Sequence, residues 1–243
     1  MAYRIFKSVF GPILRMLFRI RVEGIENVPT TGPVILASNH LSFSDSIFLP
    51  LVLKRKVTFV AKAEYFEQRK TAWFFHLMGQ IPIKRGGGPS ALRALESARD
   101  VLDDGGVFGI YPEGTRSPDG RLYKGRTGVA RLTIDSGAPV VAVAMIGTRE
   151  AQPIGQVKPN FFTPITVKFS KPMTFDRARA KANDPKGPRR VTDEIMFEIA
   201  QLSGQTYVDE YAPTKNADTQ IVGEVAPVIV RTTGQPAVAP AAA

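Results

Sequence analysis

The sequence predicts an α/β domain whose sheet is largely parallel or mixed and is covered by helices. Short apolar runs alternate along the chain with longer segments of helical periodicity, and this alternation is typical of such sheets. Hydrophobic residues make up 44% of the 243 residues, which is sufficient for a substantial core. We therefore expect one folded domain, spanning residues 24–211, between two terminal extensions.

Six apolar runs predict strands, and five periodic segments between them predict helices. The strands are expected at Val34–Ala37, Val57–Val60, Gln80–Ile83, Val107–Tyr111, Val140–Ile146 and Ile165–Phe169. The helices are expected at Ser46–Leu53, Thr71–Met78, Ser90–Leu102, Thr127–Ser136 and Val191–Gln205. The composition then changes to Ala, Pro, Thr, Val and Gly, and we expect residues 212–243 to be a disordered tail.

Residues 1–23 form the N-terminal extension, which we expect to be an amphipathic helical segment lying in a membrane interface. Four of its cations, Arg4, Lys7, Arg15 and Arg19, share one helical face, and the opposite face is apolar with aromatic anchors such as Phe10. Pro12 is expected to divide the segment into two short helices. The alternative is a surface helix docked on the protein's own core.

The whole chain is strongly basic, with a net charge of +10 and a pI of about 9.9. Such a charge favours anionic partners, namely nucleic acid, phosphorylated substrates or an anionic membrane surface. Neither the aromatic block of RNA-binding domains nor a zinc-ligand spacing is present, so no nucleic-acid partner is predicted. The absence of cysteine excludes an acyl-cysteine intermediate, and two histidines without an acidic cluster predict no catalytic metal.

His40 is the first catalytic candidate, because it follows a predicted buried strand and precedes a predicted helix. Ligands bind at this end of the strands in open α/β sheets. Asp45 lies five residues further on, and it can accept a hydrogen bond from the imidazole if the chain turns back between the two. The same stretch also fits a helix capping box, with Ser42 as the N-cap and Asp45 at the third helical position. The two interpretations are compatible.

Two cations, Lys84 and Arg85, end another predicted strand and open into a run of three glycines. Arginine can bind phosphate through two parallel hydrogen bonds, and free backbone N–H groups of a glycine loop add to such a site. The pattern is therefore a candidate phosphate site, with a solvated loop as the alternative. The Walker A spacing is absent, so this segment is not a nucleotide-binding P-loop.

A third polar segment, Tyr111–Ser117, follows a further predicted strand. Within it Glu113 can accept a hydrogen bond from a hydroxyl, Arg116 can bind a phosphate, and Gly114 lets the backbone approach a ligand closely. The alternative is a tight turn with a surface salt bridge. The position at a strand end favours the ligand site.

In order, these three segments and the apolar stretch Ala138–Val143 resemble the four sequence blocks of the glycerolipid acyltransferases, the family of lysophosphatidate and glycerol-3-phosphate acyltransferases. The resemblance covers Asn39–Val143, and the first and third blocks match most closely. Tyr111 stands where the family commonly has phenylalanine, and Ala142 where it often has proline. The resemblance implies the fold of that family, no cofactor, and acyl-CoA or acyl carrier protein as co-substrate.

The resemblance also implies roles for individual residues, with His40 as the general base and Asp45 as its orienting carboxylate. The substrate-binding residues that it implies are Asn39, Lys84, Arg85, Glu113, Gly114, Thr115 and Arg116. The implied reaction moves a fatty acyl chain from a thioester to the free hydroxyl of lysophosphatidate, giving phosphatidate. Glycerol-3-phosphate or another lysophospholipid is the alternative acceptor. A thioesterase is disfavoured, because no Gly-x-Ser-x-Gly elbow is present.

The expected partners are an anionic membrane surface, lysophosphatidate and an acyl thioester, with acyl carrier protein as one form of the donor. Both the acceptor and the product of this reaction reside in a bilayer. We therefore expect a monotopic or peripheral protein on the cytoplasmic face of the cell membrane.

Overall fold

A computed structural model describes residues 2–84, 87–175 and 186–213 of the chain. Its strands are β1 (Arg19–Glu23), β2 (Val34–Ser38), β3 (Val57–Thr58), β4 (Val60–Lys62), β5 (Ile81–Ile83), β6 (Val107–Ile110), β7 (Leu122–Tyr123), β8 (Val140–Ile146), β9 (Pro164–Phe169) and β10 (Tyr207–Val208). Its helices are α1 (Ala2–Leu17), α2 (Asp45–Val52), α3 (Glu64–Glu67), α4 (Arg69–Met78), α5 (Gly87–Asp103), α6 (Gly128–Ser136), α7 (Thr148–Ala151) and α8 (Gly187–Ser203). Of the tail predicted at residues 212–243, residues 214–243 lie outside the described residues.

Six strands form a mixed sheet in the order β1-β9-β8-β2-β6-β3. Every neighbouring pair is parallel except β8 and β9, which are antiparallel. The prediction of an α/β fold with a largely parallel or mixed sheet is therefore confirmed. The expected single strand Val57–Val60 is divided, because β3 joins the main sheet whereas β4 pairs with β5 in a separate two-stranded sheet.

Both faces of the central strands are buried, which explains why their sequences are apolar without alternation. Along β2, Val34 and Leu36 face a core cluster that includes residues of α1 and α2. Ile35 and Ala37 face a second cluster, built with α5, α6 and α8. The sheet thus lies between two layers of helices, and the polar segments follow the carboxyl ends of its strands.

Helix α1 departs from the expectation of two short helices, because it runs through Pro12 without a break. Proline removes one backbone donor, and the packing of Leu14 and Leu17 against the core holds the helix across that position. The helical part ends at Leu17, so the expected helical segment 1–23 is too long. Arg19–Glu23 form β1 and pair with β9. The strict alternation of polar and apolar residues in this stretch is a strand signal.

The two faces of α1 also differ from the predicted arrangement. Gly11 is buried against Leu51, and Lys7 turns its ammonium into a cleft between α1, α2 and α4. Burial there lowers the pKa of Lys7 to about 8, with a further contribution from the charge of Arg15. The outward face is apolar and exposes Val9, Phe10, Ile13 and Met16. None of the described helices is long and apolar enough to cross a membrane.

Candidate active site

The predicted catalytic segments meet at one edge of the main sheet. β2 and β6 are parallel neighbours, and Ala37 lies opposite Ile110 in their register. His40 and Glu113 each follow three residues later, so both lie just beyond the carboxyl ends of their strands. The segments are joined at a second point, where the backbone N–H of Ser117 donates to the carbonyl of His40 at 2.7 Å.

His40 and Asp45 form the hydrogen-bonded pair that the sequence predicts. Nδ1 of His40 lies 2.9 Å from Oδ2 of Asp45, and the same oxygen accepts the backbone N–H groups of Leu41 at 2.7 Å and Ser42 at 2.8 Å. Because a carboxylate only accepts, Nδ1 carries the proton and Nε2 keeps its lone pair. Nε2 makes no hydrogen bond with the described residues, and the side chain is 14% exposed. The imidazole is thus oriented as a base that a substrate can reach.

The capping-box interpretation of this stretch is only half correct. Helix α2 begins at Asp45, with Ser44 as the residue before it, so Asp45 is the first helical residue and not the third. The carboxylate does accept the N–H of Ser42, as the box requires. The Ser42 hydroxyl, however, donates to the carbonyl of Gln152 at 2.7 Å and accepts the N–H of Ser44. Asp45 therefore closes the loop and orients the imidazole with one and the same oxygen.

Tyr111 completes the surroundings of the imidazole. Its ring lies against that of His40, with 3.8 Å between the centroids and 11° between the planes, and Phe59 stacks on Tyr111 at 5.3 Å. The phenol shares a hydrogen bond of 2.9 Å with Oγ of Ser46. Burial, and then the charge of Asp45, raise the pKa of Tyr111 well above its ordinary value, so the phenol stays protonated. The aromatic stack restricts the imidazole to the orientation that the carboxylate sets.

Glu113 lies in the site, but its contacts differ from those that the resemblance implies. The side chain is buried, Oε1 accepts the N–H of His40 at 3.0 Å, and Oε2 accepts the N–H of Tyr123 at 3.0 Å. Burial raises the pKa of Glu113 to about 7, although the two backbone N–H groups oppose this shift. Both oxygens accept backbone N–H groups inside the protein, so Glu113 braces the loop that carries His40. A contact between Glu113 and the acceptor stays a prediction.

Asn39 also has a structural role in this site. Its side chain is fully buried, Oδ1 accepts the N–H of Met145 at 2.7 Å, and Nδ2 donates to the Met145 carbonyl at 2.9 Å and to Oε1 of Gln205 at 2.7 Å. The amide therefore ties the end of β2 to β8. Every polar atom of this side chain has a partner within the protein, and a contact between Asn39 and substrate stays a prediction.

Gly114, Thr115 and Arg116 lie on the accessible side of the same loop. Gly114 has a φ of +75°, a backbone conformation that favours glycine, and a Cβ atom there would make a tight contact of 3.0 Å with Nε of the Arg126 side chain. Thr115 and Arg116 are partly exposed. Arg116 makes no hydrogen bond or ion pair within the part of the chain that the structure describes. Its guanidinium is thus available to an anionic ligand.

The second predicted cluster is only partly described. Lys84 is exposed after β5 and has no hydrogen bond or ion pair with a described residue. Arg85 lies outside the described residues, so its phosphate contact stays a prediction. Within residues 2–84, 87–175 and 186–213, no group of three or more histidine, cysteine or carboxylate side chains could hold a metal ion.

A comparison with protein families agrees with this arrangement. The sequence model of a family described as acyltransferase matches residues 19–146, which is more than half of the chain and includes every predicted site residue. The chain belongs to the acyltransferase family. The matched acyltransferase region begins at Arg19, the first residue of β1, which agrees with the inclusion of that strand in the main sheet.

Individual acyltransferases resemble the chain over most of the folded region. It is 31% identical over 170 residues to the chloroplastic 1-acyl-sn-glycerol-3-phosphate acyltransferase of Arabidopsis thaliana, covering 70% of this chain and 48% of that protein. It is 34% identical over 134 residues to the 1-acyl-sn-glycerol-3-phosphate acyltransferase of Pseudomonas aeruginosa, covering 52% of this chain and 49% of that protein. The chain thus spans about half the length of these curated relatives.

A solved acyltransferase structure has a similar fold. The 1-acyl-sn-glycerophosphate acyltransferase of Thermotoga maritima matches with a TM-score of 0.62 at 27% identity, covering 82% of this chain and 78% of that one. The agreement extends beyond the region of the family match. It supports the mixed sheet as the acyltransferase fold.

No function was predicted for Tyr111 from the sequence. The signal was the tyrosine itself, because this acyltransferase family commonly has phenylalanine at the position. The added hydroxyl reaches Ser46 on α2, and the ring covers the base. The backbone of Tyr123 and the side chain of Gln205 were also missed. Gln205 reaches Asn39 from 166 residues away, and no local pattern marks either residue.

Proposed function

We propose that the protein transfers a fatty acyl chain from an acyl thioester to the free hydroxyl of lysophosphatidate, giving phosphatidate. The observation that carries the proposal is the His40–Asp45 pair, which leaves Nε2 free at the strand ends where the uncommitted Arg116 also lies. The names of the relatives from A. thaliana and P. aeruginosa support this acceptor. A base beside a cation is the arrangement that a hydroxyl on a phosphorylated glycerol requires.

In the proposed reaction, the acceptor phosphate binds Arg116, with Lys84 and Arg85 as further candidate cations. Nε2 of His40 removes the proton from the acceptor hydroxyl while its oxygen forms a bond to the thioester carbonyl carbon. The carbon–sulfur bond then breaks, and the imidazolium returns the proton to the departing thiolate. Asp45 accepts from Nδ1 throughout and stabilises the imidazolium. No covalent enzyme intermediate forms, in keeping with a chain that lacks cysteine.

The donor in this proposal is acyl-CoA or acyl carrier protein, and no cofactor takes part. Either donor presents the same thioester to the site, so the chemistry at His40 is identical for both. The net charge of +10 favours the approach of a phosphate-bearing donor and of the phosphate-bearing acceptor.

The proposed location is the cytoplasmic face of the cell membrane, with the protein bound as a monotopic or peripheral enzyme. The outward apolar face of α1 supports this location, because it exposes Val9, Phe10, Ile13 and Met16. Arg15 and Arg19 are exposed near the end of the same helix and suit anionic headgroups. A base at an interface can act on an acceptor that never leaves the bilayer.

The test is an assay of the purified full-length protein with acyl-CoA or acyl carrier protein as donor. Each donor is combined with lysophosphatidate, with glycerol-3-phosphate or with no acceptor, and thiol release and lipid product are measured in the same reaction. We expect thiol release to require lysophosphatidate and to match phosphatidate formation. Equal thiol release without acceptor would identify a thioesterase, and preferential acylation of glycerol-3-phosphate would change the assigned acceptor.

A further inference from the structure

The loop that joins α7 to β9, residues 152–163, exposes three large apolar side chains. Val157 is 90% exposed, Phe162 is 62% exposed and Phe161 is 44% exposed. The loop also carries the exposed Lys158 and contains no acidic residue. The exposure of clustered apolar side chains to water is unfavourable. Apolar side chains next to a cation suit the boundary between the headgroups and the acyl chains of an anionic bilayer.

Hydrogen bonds within the loop hold it in this shape. The side-chain amide of Gln156 donates to the carbonyl of Lys158 at 2.6 Å and to Oδ1 of Asn160 at 3.0 Å. The backbone N–H of Asn160 donates to the carbonyl of Ala151 at 2.7 Å, and Oγ1 of Thr163 donates to the carbonyl of Asn160 at 2.8 Å. The exposure of the apolar side chains is therefore a property of a defined loop structure.

Phe162 has a backbone conformation that phenylalanine rarely adopts. Its φ is +64°, and it is the one non-glycine residue with a positive φ within residues 2–84, 87–175 and 186–213. A bulky side chain is unfavourable in this left-handed region, where asparagine or glycine fits better. Strain of this kind persists where the surroundings impose it, and it is common at binding sites. Backbone preference therefore does not explain phenylalanine at this position.

Two contacts connect the loop to α1 and to the catalytic segment. The backbone N–H of Phe162 donates to the carbonyl of Leu17, the last residue of α1, at 2.7 Å, and the ring of Phe161 lies 5.7 Å from that of Phe18. At the start of the loop, the carbonyl of Gln152 accepts the hydroxyl of Ser42 at 2.7 Å. The loop therefore bridges the end of α1 and the segment that carries the base.

We propose that residues 152–163 are a second membrane-contacting element, which places Val157, Phe161 and Phe162 in the interfacial region of an anionic bilayer. The inference rests on the proposed action at a membrane, and it extends the contact surface from α1 to a loop bonded to the catalytic segment. A second copy of the chain is disfavoured as the occupant of this surface, because a net charge of +10 opposes the pairing of two copies. The loop would hold the active site at a fixed height above the acyl chains.

Sedimentation with vesicles of equal parts phosphatidylglycerol and phosphatidylcholine tests the proposal on the full chain. The variant is Phe162→Asn, because asparagine tolerates the left-handed backbone and should leave the protein as stable as the wild type or more stable. We expect its vesicle partition coefficient to fall by roughly tenfold, the change expected when one largely exposed phenylalanine no longer leaves water. The matched control is Phe197→Asn, whose phenylalanine is also 62% exposed. It lies on α8, and the buried residues of α8 pack on the other face of the sheet from α1.

The outcomes distinguish this inference from the proposed function. Equal vesicle binding by Phe162→Asn and the wild type overturns the role of the loop and leaves α1 as the anchor. A wild type that does not bind overturns the membrane location and the loop proposal together, whereas the transfer assay still judges the reaction. A change of oligomeric state in light scattering, with vesicle binding unchanged, assigns the surface to a second copy and overturns the proposal.

A kinetic comparison separates membrane contact from an effect on the base. Transfer is measured to a short-chain lysophosphatidate in solution and to a long-chain lysophosphatidate embedded in the same vesicles. We expect Phe162→Asn to keep its kcat/KM for the soluble acceptor and to lose roughly tenfold for the embedded one. An equal loss for both acceptors would mean that the loop acts through Ser42 on the catalytic segment, which overturns the proposal.

Discussion

Glu113 accepts the backbone N–H of His40 at 3.0 Å, so a buried carboxylate after β6 fixes the residue that carries the candidate base after β2. Its second oxygen accepts the N–H of Tyr123 and thereby anchors the same carboxylate to β7. His40 is held from two sides, because Asp45 orients its ring and Glu113 holds its backbone. Orientation of the base and binding of the acceptor thus depend on different residues, and substitutions should affect kcat and KM separately.

Glu113→Gln should lower kcat and leave acceptor binding almost unchanged. A glutamine amide can accept one of the two N–H groups, but it presents a donor to the other and so displaces the loop of His40. Since small misplacements of a catalytic group are costly, we expect kcat to fall roughly 10- to 100-fold, with KM for lysophosphatidate changed by less than about threefold. Steady-state kinetics with varied acceptor measures both. A raised KM with an unchanged kcat would mean that Glu113 contacts the acceptor instead of holding the loop of His40.

The raised pKa of Glu113 also predicts a pH dependence of stability. This pKa is about 7 in the folded protein against an ordinary value of 4.5, so the folded state binds the proton more tightly. The stabilising contribution is fully present below the ordinary value and is lost as the pH rises through about 7. Glu113→Gln does not titrate, so its free energy of unfolding relative to the wild type should rise from about pH 5 to about pH 8, by at most about 3 kcal/mol.

Urea unfolding at the two pH values measures this difference. Glu194→Gln on α8 removes an exposed carboxylate and serves as the control. A constant difference between Glu113→Gln and the wild type across the range would mean that the buried carboxylate is not the group that titrates.

Arg116→Ala should raise KM for the phosphorylated acceptor and change kcat little. A charge-assisted hydrogen bond contributes roughly 1.5–3 kcal/mol, which corresponds to about a 10- to 100-fold rise in KM. Arg116→Lys should give an intermediate value, because lysine keeps the charge without the bidentate geometry. Arg131→Ala, which removes an exposed arginine on α6, is the control. An unchanged KM in Arg116→Ala would remove this residue from the acceptor site.

Gly109→Ala should lower both the free energy of unfolding and kcat. A Cβ atom at this position would lie 2.2 Å from the ring of Phe59, which stacks on Tyr111 and through it on His40. The added methyl group must displace that ring, and overpacking of this kind costs roughly 1–3 kcal/mol. Because the displacement is transmitted through the aromatic stack, kcat should fall as well.

Urea unfolding and steady-state kinetics of the same preparation check the two effects together. The control is Gly128→Ala at the start of α6, where a Cβ atom would make an ordinary contact of 3.8 Å with a side chain of α5. If Gly109→Ala is destabilised but keeps its kcat, the stack does not position the base.

The parts of the site that the sequence predicted correctly are local or follow from parallel strands. His40 and Asp45 are five residues apart, and their contact needs only a turn between a strand and a helix. The meeting of His40 with the Glu113 segment follows from two parallel strands whose carboxyl ends lie at the same edge. These inferences require a pattern and a topology but no long-range side-chain geometry.

The structural partners of two site residues could not be predicted from the sequence. Asn39 and Glu113 follow strand ends, as ligand-binding residues do, and sequence alone does not show that their side chains bind the backbones of Met145 and Tyr123. The extent of the helical N-terminus was overestimated for a related reason. Arg19–Glu23 carry both the cations of a basic helical face and the alternation of a strand, and the pairing with β9 shows that the strand forms.

The most direct test of the account is the rate of phosphatidate formation by His40→Ala, compared at saturating lysophosphatidate and acyl-CoA with the wild type. His76→Ala, which removes an exposed histidine on α4, is the control, and thermal unfolding of each variant confirms the fold. We expect His40→Ala to lose at least roughly 10²–10⁴ in rate, the contribution of a positioned general base, and His76→Ala to keep its activity. A folded His40→Ala protein with near-native transfer would contradict the assignment of the base.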